Sequence, residues 1–399
     1  MSRIRILYVT DAKTMGGAEW SLVDLLRNLD RDKFSAVLAA PAGAGVLSCV
    51  EQDGVRVVTV PIARVIRTWN PFRLLHYVFS FCRSLWKLRK CVQEEGIDIV
   101  HANTASAQIY CALLAMSCQV LLVWQCRDLR YGRRICRWMV NQADCVVAIS
   151  ETVHRFLLQM TDCPHKIVTV MNGIDVERLG KNNQAARRDF RAESGIPAEA
   201  FVVGMIGQYT PWKNHEIFLQ TASRIREQIP NSYFVIMGTV HDRQHARYLT
   251  RLRQVAYELN VYDIVSFLTY RSDVQSFYTG IDLLLHPAQR EPFGRVVLES
   301  MLHSRPVVIA DDGSGPQEIV SHGRDGMLVA PRTAENLARA VVEFAKDEKK
   351  MEQFGEAGQQ KVENQFSAKA MSARMGQVYL HLLQQESPDA AVSSTDHAS

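Results

Sequence analysis

Glu291 and Glu299 are separated by seven residues in the run Gln-Arg-Glu-Pro-Phe-Gly-Arg-Val-Val-Leu-Glu-Ser-Met, 289–301. A strand-like apolar run, 281–287, precedes them, and the apolar residues after Gly294 suit a buried helix. That pattern places Glu291 in a strand-to-helix loop and Glu299 about one and a half turns into the helix. Carboxylates so placed can reach two ends of an elongated, hydroxyl-rich ligand. Between them Phe293 and Gly294 offer backbone N–H groups at a helix start, where unsatisfied amides favour phosphate. A diphosphate with a sugar at each end fits those groups. The plainer alternative is one surface Glu in a loop and another on a solvated helix face.

This segment resembles the E-x7-E signature of retaining, nucleotide-sugar-dependent glycosyltransferases of the family 4 type. The resemblance implies the GT-B fold, an α/β architecture of two doubly wound, Rossmann-like domains facing across a cleft. It extends to Gly-Met-Ile-Gly-Gln-Tyr-Thr-Pro-Trp-Lys-Asn-His, 204–215, which is similar to the family's phosphate loop. There Lys213 matches the Lys that grips the sugar donor's diphosphate. Gln208 stands where Arg is more usual; it can donate a hydrogen bond but carries no charge. Arg295, beside the helix start, is a candidate to supply the missing cation. Thr10–Glu19 resembles the family's first-strand Gly-Gly loop, with Gly16 and Gly17 letting backbone approach sugar and phosphates. Thr269–Asp273, which includes Arg271, is expected to border the nucleotide base. Asn172–Asp175 resembles the hinge at the end of the first domain, and 314–319 and 323–326 resemble recurring loops. Glu318 is a ligand contact or a structural residue.

One departure is plain. At 124–128 the chain reads Trp-Gln-Cys-Arg-Asp, where many relatives place a His that touches the sugar. Arg127 is then either a fixed cation for the departing phosphate or a substrate hydroxyl, or a structural partner of Asp128. His101 is a second candidate, with a satisfied structural role favoured for a lone His.

Those sites need elements to hold them. The chain has 399 residues, more than one core usually serves, with 47% hydrophobic and 22% charged residues. A formal net charge of +4 does not call for nucleic acid. Nine scattered cysteines without a Cys-x-x-Cys pair read as reduced thiols of the cytosol. The N-terminus reads as a strand, too short for a signal peptide, and no apolar run reaches membrane-spanning length. The expected localisation is cytoplasmic, with a peripheral membrane position as an option.

Strand-like runs at 4–9, 35–40, 55–60, 97–101, 120–125, 145–149 and 167–171 alternate with helical stretches. A second series follows at 201–206, 233–237, 264–268, 281–286, 306–309 and 327–329. This is the pattern of parallel sheets covered by helices on both faces. The expected division is an acceptor-side domain, 1–176, a polar linker, 177–199, and a nucleotide-sugar-binding domain, 200–366. A last helix, 367–386, is expected to return to the first domain, and 387–399 reads as a disordered tail. Arg64–Lys90 interleaves Arg and Lys with Trp and Phe. It reads either as a helix packed on the sheet or as one lying on an anionic membrane.

The resulting expectation is a retaining hexosyltransferase that moves a sugar from a nucleoside-diphosphate sugar to a glycan or lipid-linked acceptor. Its expected setting is cell-surface polysaccharide or glycolipid synthesis. Glu291, Lys213 and Arg127 are the expected catalytic groups. Gly16, Gly17, Gln208, Lys213, Arg271, Phe293, Gly294, Arg295 and Glu299 are the expected sugar-donor contacts. No metal, no other cofactor and no nucleic acid is called for. The alternatives are a non-catalytic sugar-nucleotide-binding subunit and a nucleotide-sugar epimerase of the same fold.

Overall fold

The computed structural model of the chain describes residues 3–62, 71–180 and 184–386. Arg64, Arg67, Trp69, residues 181–183 of the expected linker and the expected tail, 387–399, lie outside the described residues. The chain folds as two compact units. One runs to Gly173 and includes the helix Ala368–Glu386; the other is Ile174–Ser367.

Seven strands build the first unit: β1 (Ile4–Val9), β2 (Phe34–Ala40), β3 (Arg56–Thr59), β4 (Ile99–Ala102), β5 (Leu121–Cys126), β6 (Cys145–Ala148) and β7 (Ile167–Thr169). Six build the second: β8 (Phe201–Ile206), β9 (Ser232–Gly238), β10 (Val265–Thr269), β11 (Leu283–His286), β12 (Val307–Ala310) and β13 (Met327–Val329). Each apolar run expected to be a strand is one, because strands covered on both faces read as unbroken apolar sequence. Every residue of β5, for example, is buried.

Both sheets are fully parallel, in the orders β3-β2-β1-β4-β5-β6-β7 and β10-β9-β8-β11-β12-β13. In each the chain winds outward from its first strand, then returns to that strand's other side. The winding direction therefore reverses between β1 and β4, and again between β8 and β11. Loops leaving those strands diverge at their carboxyl ends, and a crevice opens there for ligands.

The last helix joins the first unit's core. Met371, Met375, Tyr379 and Leu382 recur on one helical face and pack with Leu22, Leu25, Leu26 and Phe34. The chain passes between units at Gly173 and Ile174, inside the Asn172–Asp175 segment, and returns at Ser367. Within the second unit those passages run side by side, with Ile174 N–H donating to the Phe366 carbonyl at 2.9 Å.

The stretch 177–199, expected as a linker, is instead part of the second unit. Gln184–Glu193 is a helix whose polar residues form its solvated face. One aromatic, Phe190, anchors it by an edge-to-face contact with Phe277. Gly280 makes that approach possible, since a Cβ there would stand 2.1 Å from Phe190 Cδ1. Beside it the buried Arg191 donates to the Asp282 carboxylate at 2.8 Å and to the carbonyls of Ala198, Ala200 and Gly280. Asp282 also accepts from Arg187 and from Val202 N–H, so one carboxylate ties this helix to β8 and β11.

Asp282→Asn should therefore lower stability by about 3 kcal/mol, because it leaves a buried guanidinium without its anion. Urea unfolding would show this as a lower midpoint. An unchanged midpoint would mean that Phe190 alone holds the helix.

Candidate active site

In the second unit, the β8 loop carries Lys213 and the β11 loop carries Glu291. The two loops are stitched together across the point of reversal. Asn214 Nδ2 donates to the Pro287 carbonyl at 2.9 Å, and Gln289 N–H donates to the Trp212 carbonyl at 3.0 Å. This brings Lys213 Nζ to 2.6 Å from Glu291 Oε2, with both side chains largely buried. Lys213 Nζ also lies 4.3 Å from the Trp212 ring centroid, within cation–π range. Burial alone would push the Glu291 carboxyl up, but the Lys213 charge and its hydrogen bond outweigh it and hold the group down at about 2. Two buried histidines flank the pair. His215, against Tyr209, is held down at about 3 by burial and then by Lys213. His286, at the end of β11, is lowered by burial, with Lys213 adding to the effect.

Past Glu291 the backbone turns sharply. Gly294 has φ +97° and precedes the helix Arg295–Leu302, and a Cβ there would stand 2.9 Å from Pro316 Cγ. The 314–316 loop lies directly on this turn. Gly315 N–H donates to the Glu291 carbonyl at 2.9 Å, and Arg290 N–H donates to Asp312 Oδ2 at 2.7 Å. Phe293 is buried beneath.

Glu299 is buried in that helix and accepts from the Tyr278 hydroxyl at 2.8 Å. Burial and then the Glu299 charge raise the Tyr278 phenol well above its ordinary value, so it remains a donor. Arg295 Nη2 lies 3.5 Å from Glu299 Oε1, one turn away. Gln208 is exposed, and its amide meets His241 Nε2 at 3.4 Å. Arg271 is exposed and pairs with Glu193 at 2.7 Å.

In the first unit the loops after β1 and β4 meet at the corresponding reversal, where Thr104 Oγ1 donates to Asp11 Oδ1 at 2.5 Å. Gly16 precedes the helix Gly17–Arg27 with an ordinary extended backbone, and a Cβ there would stand 3.1 Å from Glu19 Oε2. The Gly-Gly step thus clears room beside a carboxylate of the first helical turn; it does not relieve a strained turn.

Arg127 follows β5 and is held by three side-chain amide oxygens. Its Nη2, Nε and Nη1 donate to Gln125 Oε1 at 2.5 Å, Asn103 Oδ1 at 3.1 Å and Asn172 Oδ1 at 3.2 Å. The Asp128 carboxylate takes both Arg130 Nε and Nη2. His101 Nε2 faces the same Gln125 oxygen at 3.2 Å, so it carries the proton. His101 Nδ1 and the Tyr8 hydroxyl both lie against the Tyr379 hydroxyl, at 2.8 and 3.1 Å. Burial, with Arg127 beside it, holds His101 down at about 3, so it is neutral and serves to orient Gln125.

His286, His215, Tyr278 and Asp312 were missed in the sequence. His286 stood in the strand run before Glu291, where an ionisable side chain closing an apolar strand was a signal. Tyr278 and Asp312 gave none, because their contacts depend on distant loops.

Two Rossmann-like units, each with polar groups gathered where its strand order reverses, define the GT-B class of fold. The chain belongs to the family 4 type glycosyltransferases. The family described as Glycosyltransferase Family 4 matches residues 15–178, and Glycosyl transferases group 1 matches residues 186–361. A lipopolysaccharide core biosynthesis mannosyltransferase, LpcC of Rhizobium leguminosarum bv. viciae, is 26% identical over 247 residues, 62% of this chain and 67% of its own. A D-inositol 3-phosphate glycosyltransferase of Corynebacterium aurimucosum is 27% identical over 264 residues, 65% of this chain and 62% of its own. The chain thus spans about two thirds or less of these relatives. Anabaena HepE, solved in complex with UDP-glucose, shares the fold with a TM-score of 0.82. It is 24% identical, over 95% of this chain and 100% of that one.

The depressed Glu291 group links stability to pH. Its contribution is fully present above the ordinary value of 4.5 and is lost as pH falls through about 2. In Glu291→Gln the acid limb of a stability–pH curve should be shallower, and stability near neutrality should fall by about 3 kcal/mol as Lys213 loses its anion. Curves that run parallel from pH 5 to 2 would show that the pair does not couple to folding.

Proposed function

We propose that this glycosyltransferase moves a hexosyl group, with retention, from a nucleoside-diphosphate sugar to a hydroxyl acceptor in cell-surface polysaccharide or glycolipid synthesis. The observation that carries this reading is the buried Lys213–Glu291 pair at the point of reversal in the second unit, with Glu299 beyond it. The mannosyltransferase relative and the UDP-glucose complex of HepE support the substrate class. Lys213 and the amides after Gly294 stabilise charge growing on the leaving diphosphate. Glu291 orients sugar hydroxyls, Glu299 holds ribose hydroxyls, and Phe293 supports the turn. Gly16 and Gly17 give backbone access on the first unit, where Arg127 is a fixed cation for phosphate or a substrate hydroxyl. Arg271 borders the base. The anomeric carbon–oxygen bond to the diphosphate breaks as the acceptor oxygen bonds on the same face. The acceptor's proton passes to the departing diphosphate oxygen.

This account uses side-chain cations and backbone amides and calls for no metal. A thermal-shift screen across UDP-, GDP- and ADP-sugars should raise the apparent melting temperature with the cognate donor. Transfer from that donor should persist after exhaustive dialysis against EDTA. Complete loss restored by magnesium or manganese would overturn the phosphate-site account. A second reading, a sugar-nucleotide-binding subunit without catalysis, draws on the uncharged Gln208; donor binding without transfer or hydrolysis would favour it.

The acceptor is proposed to be lipid-linked. Among the described residues no helix is long and apolar enough to cross a membrane. The helix Pro71–Glu95 packs through Leu88, Cys91 and Val92, and Phe81 meets Tyr110 at 4.5 Å. Yet Phe72, Leu75, Phe79 and Trp86 stay exposed, Phe72 at 83%, among exposed Arg83, Arg89 and Lys90. The helix Arg133–Gln142 adds exposed Ile135 and Trp138 among Arg133, Arg134 and Arg137. Apolar side chains among cations suit an anionic lipid surface, each cation adding about 1 kcal/mol at modest salt. Co-sedimentation with anionic vesicles should exceed that with neutral ones and weaken as salt rises. Equal binding to both would remove the membrane contact and favour a soluble acceptor.

A further inference from the structure

His286 has no part in the account above, and its surroundings call for one. Its side chain is 1% exposed, and neither ring nitrogen has a hydrogen-bond partner among the described residues. A buried polar group left in that state is costly. Nε2 lies 3.6 Å from Glu291 Oε2, the oxygen that Lys213 Nζ occupies at 2.6 Å. The other ionisable groups acting on this cluster are Asp312 and His215. As it stands the Lys213–Glu291 pair is neutral, and His286 faces it from the end of β11.

A diphosphate changes that balance. Resting on the reading of Lys213 as the diphosphate cation, the incoming anion draws the ammonium towards itself. Glu291 is then a buried carboxylate that has lost its closest donor, and an ionised carboxylate can only accept. The imidazole is the near group able to replace it. A closure of about 0.7 Å brings Nε2 into the range of a charge-assisted hydrogen bond.

We infer that His286 is a positioning residue that takes over Glu291 when Lys213 turns to the diphosphate, so that sugar-donor binding brings one proton from solvent onto the imidazole. No bond other than that N–H forms. Glu291 stays ionised and fixed, ready to accept from sugar hydroxyls. Burial keeps the imidazole neutral in the free protein, its titration lying below the ordinary 6.5. A proton held in the complex but not in the free protein makes affinity fall as pH rises between the two titration points.

The test is isothermal titration of the full chain in phosphate and in Tris. The ligand is UDP-glucose, or whichever UDP-, GDP- or ADP-sugar gave the largest thermal shift; as a diphosphate diester it does not itself titrate near neutral pH. The wild type should take up close to one proton per ligand, and its Kd should rise up to tenfold per pH unit across that window. His286→Asn keeps a side-chain donor but cannot titrate, so uptake should fall to zero and Kd should be flat. Uptake that persists in His286→Asn, or is absent in the wild type, overturns the inference. Lys213→Met separates the two readings. If it binds the ligand as the wild type does, the diphosphate assignment itself fails. If it loses binding while wild-type uptake is zero, that assignment stands and the role of His286 falls.

Discussion

The second unit is organised around two opposite charges that meet inside protein. Lys213 and Glu291 sit 78 residues apart in sequence and 2.6 Å apart in space. A buried pair of this kind is a poor stabiliser; apolar side chains of similar volume often do as well or better. Its presence makes sense if the charges act, and the surrounding residues keep them tolerable. The reversal of strand order puts the two loops side by side. The Asn214–Pro287 and Gln289–Trp212 hydrogen bonds hold them in register. Trp212 lies against the ammonium, and the flanking histidines remain uncharged. On the function proposed above, the pair stores a cation and a hydroxyl acceptor in neutral form, and the sheet topology is what brings the two together.

The same topology explains what could be read in the chain. Parallel strands buried on both faces leave long apolar runs, so every strand and both sheets were visible. Glu291, Gly294 and Glu299 were visible because a loop and the helix it starts are local, and their spacing is set by helical geometry. The partners of those residues were not. Tyr278 reaches Glu299 from 21 residues away, and Arg290 meets Asp312 across 22. The helix Gln184–Glu193 reads as linker in the sequence because only Phe190 and the buried Arg191 mark its packed face. An Arg in a charged run looks solvated until its acceptors are known.

Arg127 shows how a departure from a family pattern can be rebuilt from the fold. A His at this position would be aimed by one or two hydrogen bonds. A guanidinium presents five donors in a rigid fork, and its direction is fixed only if several acceptors hold it at once. Gln125, Asn103 and Asn172 are those acceptors, from β5, the loop after β4 and the end of the first unit's own chain. Behind Gln125 stands His101, and behind His101 stands Tyr379, 278 residues further along. Tyr379 belongs to the last helix, which the chain reaches only after completing the second unit. The final helix therefore does more than cover apolar surface. It sets a hydroxyl against the buried imidazole that faces Gln125, one of the three acceptors that hold the Arg127 guanidinium.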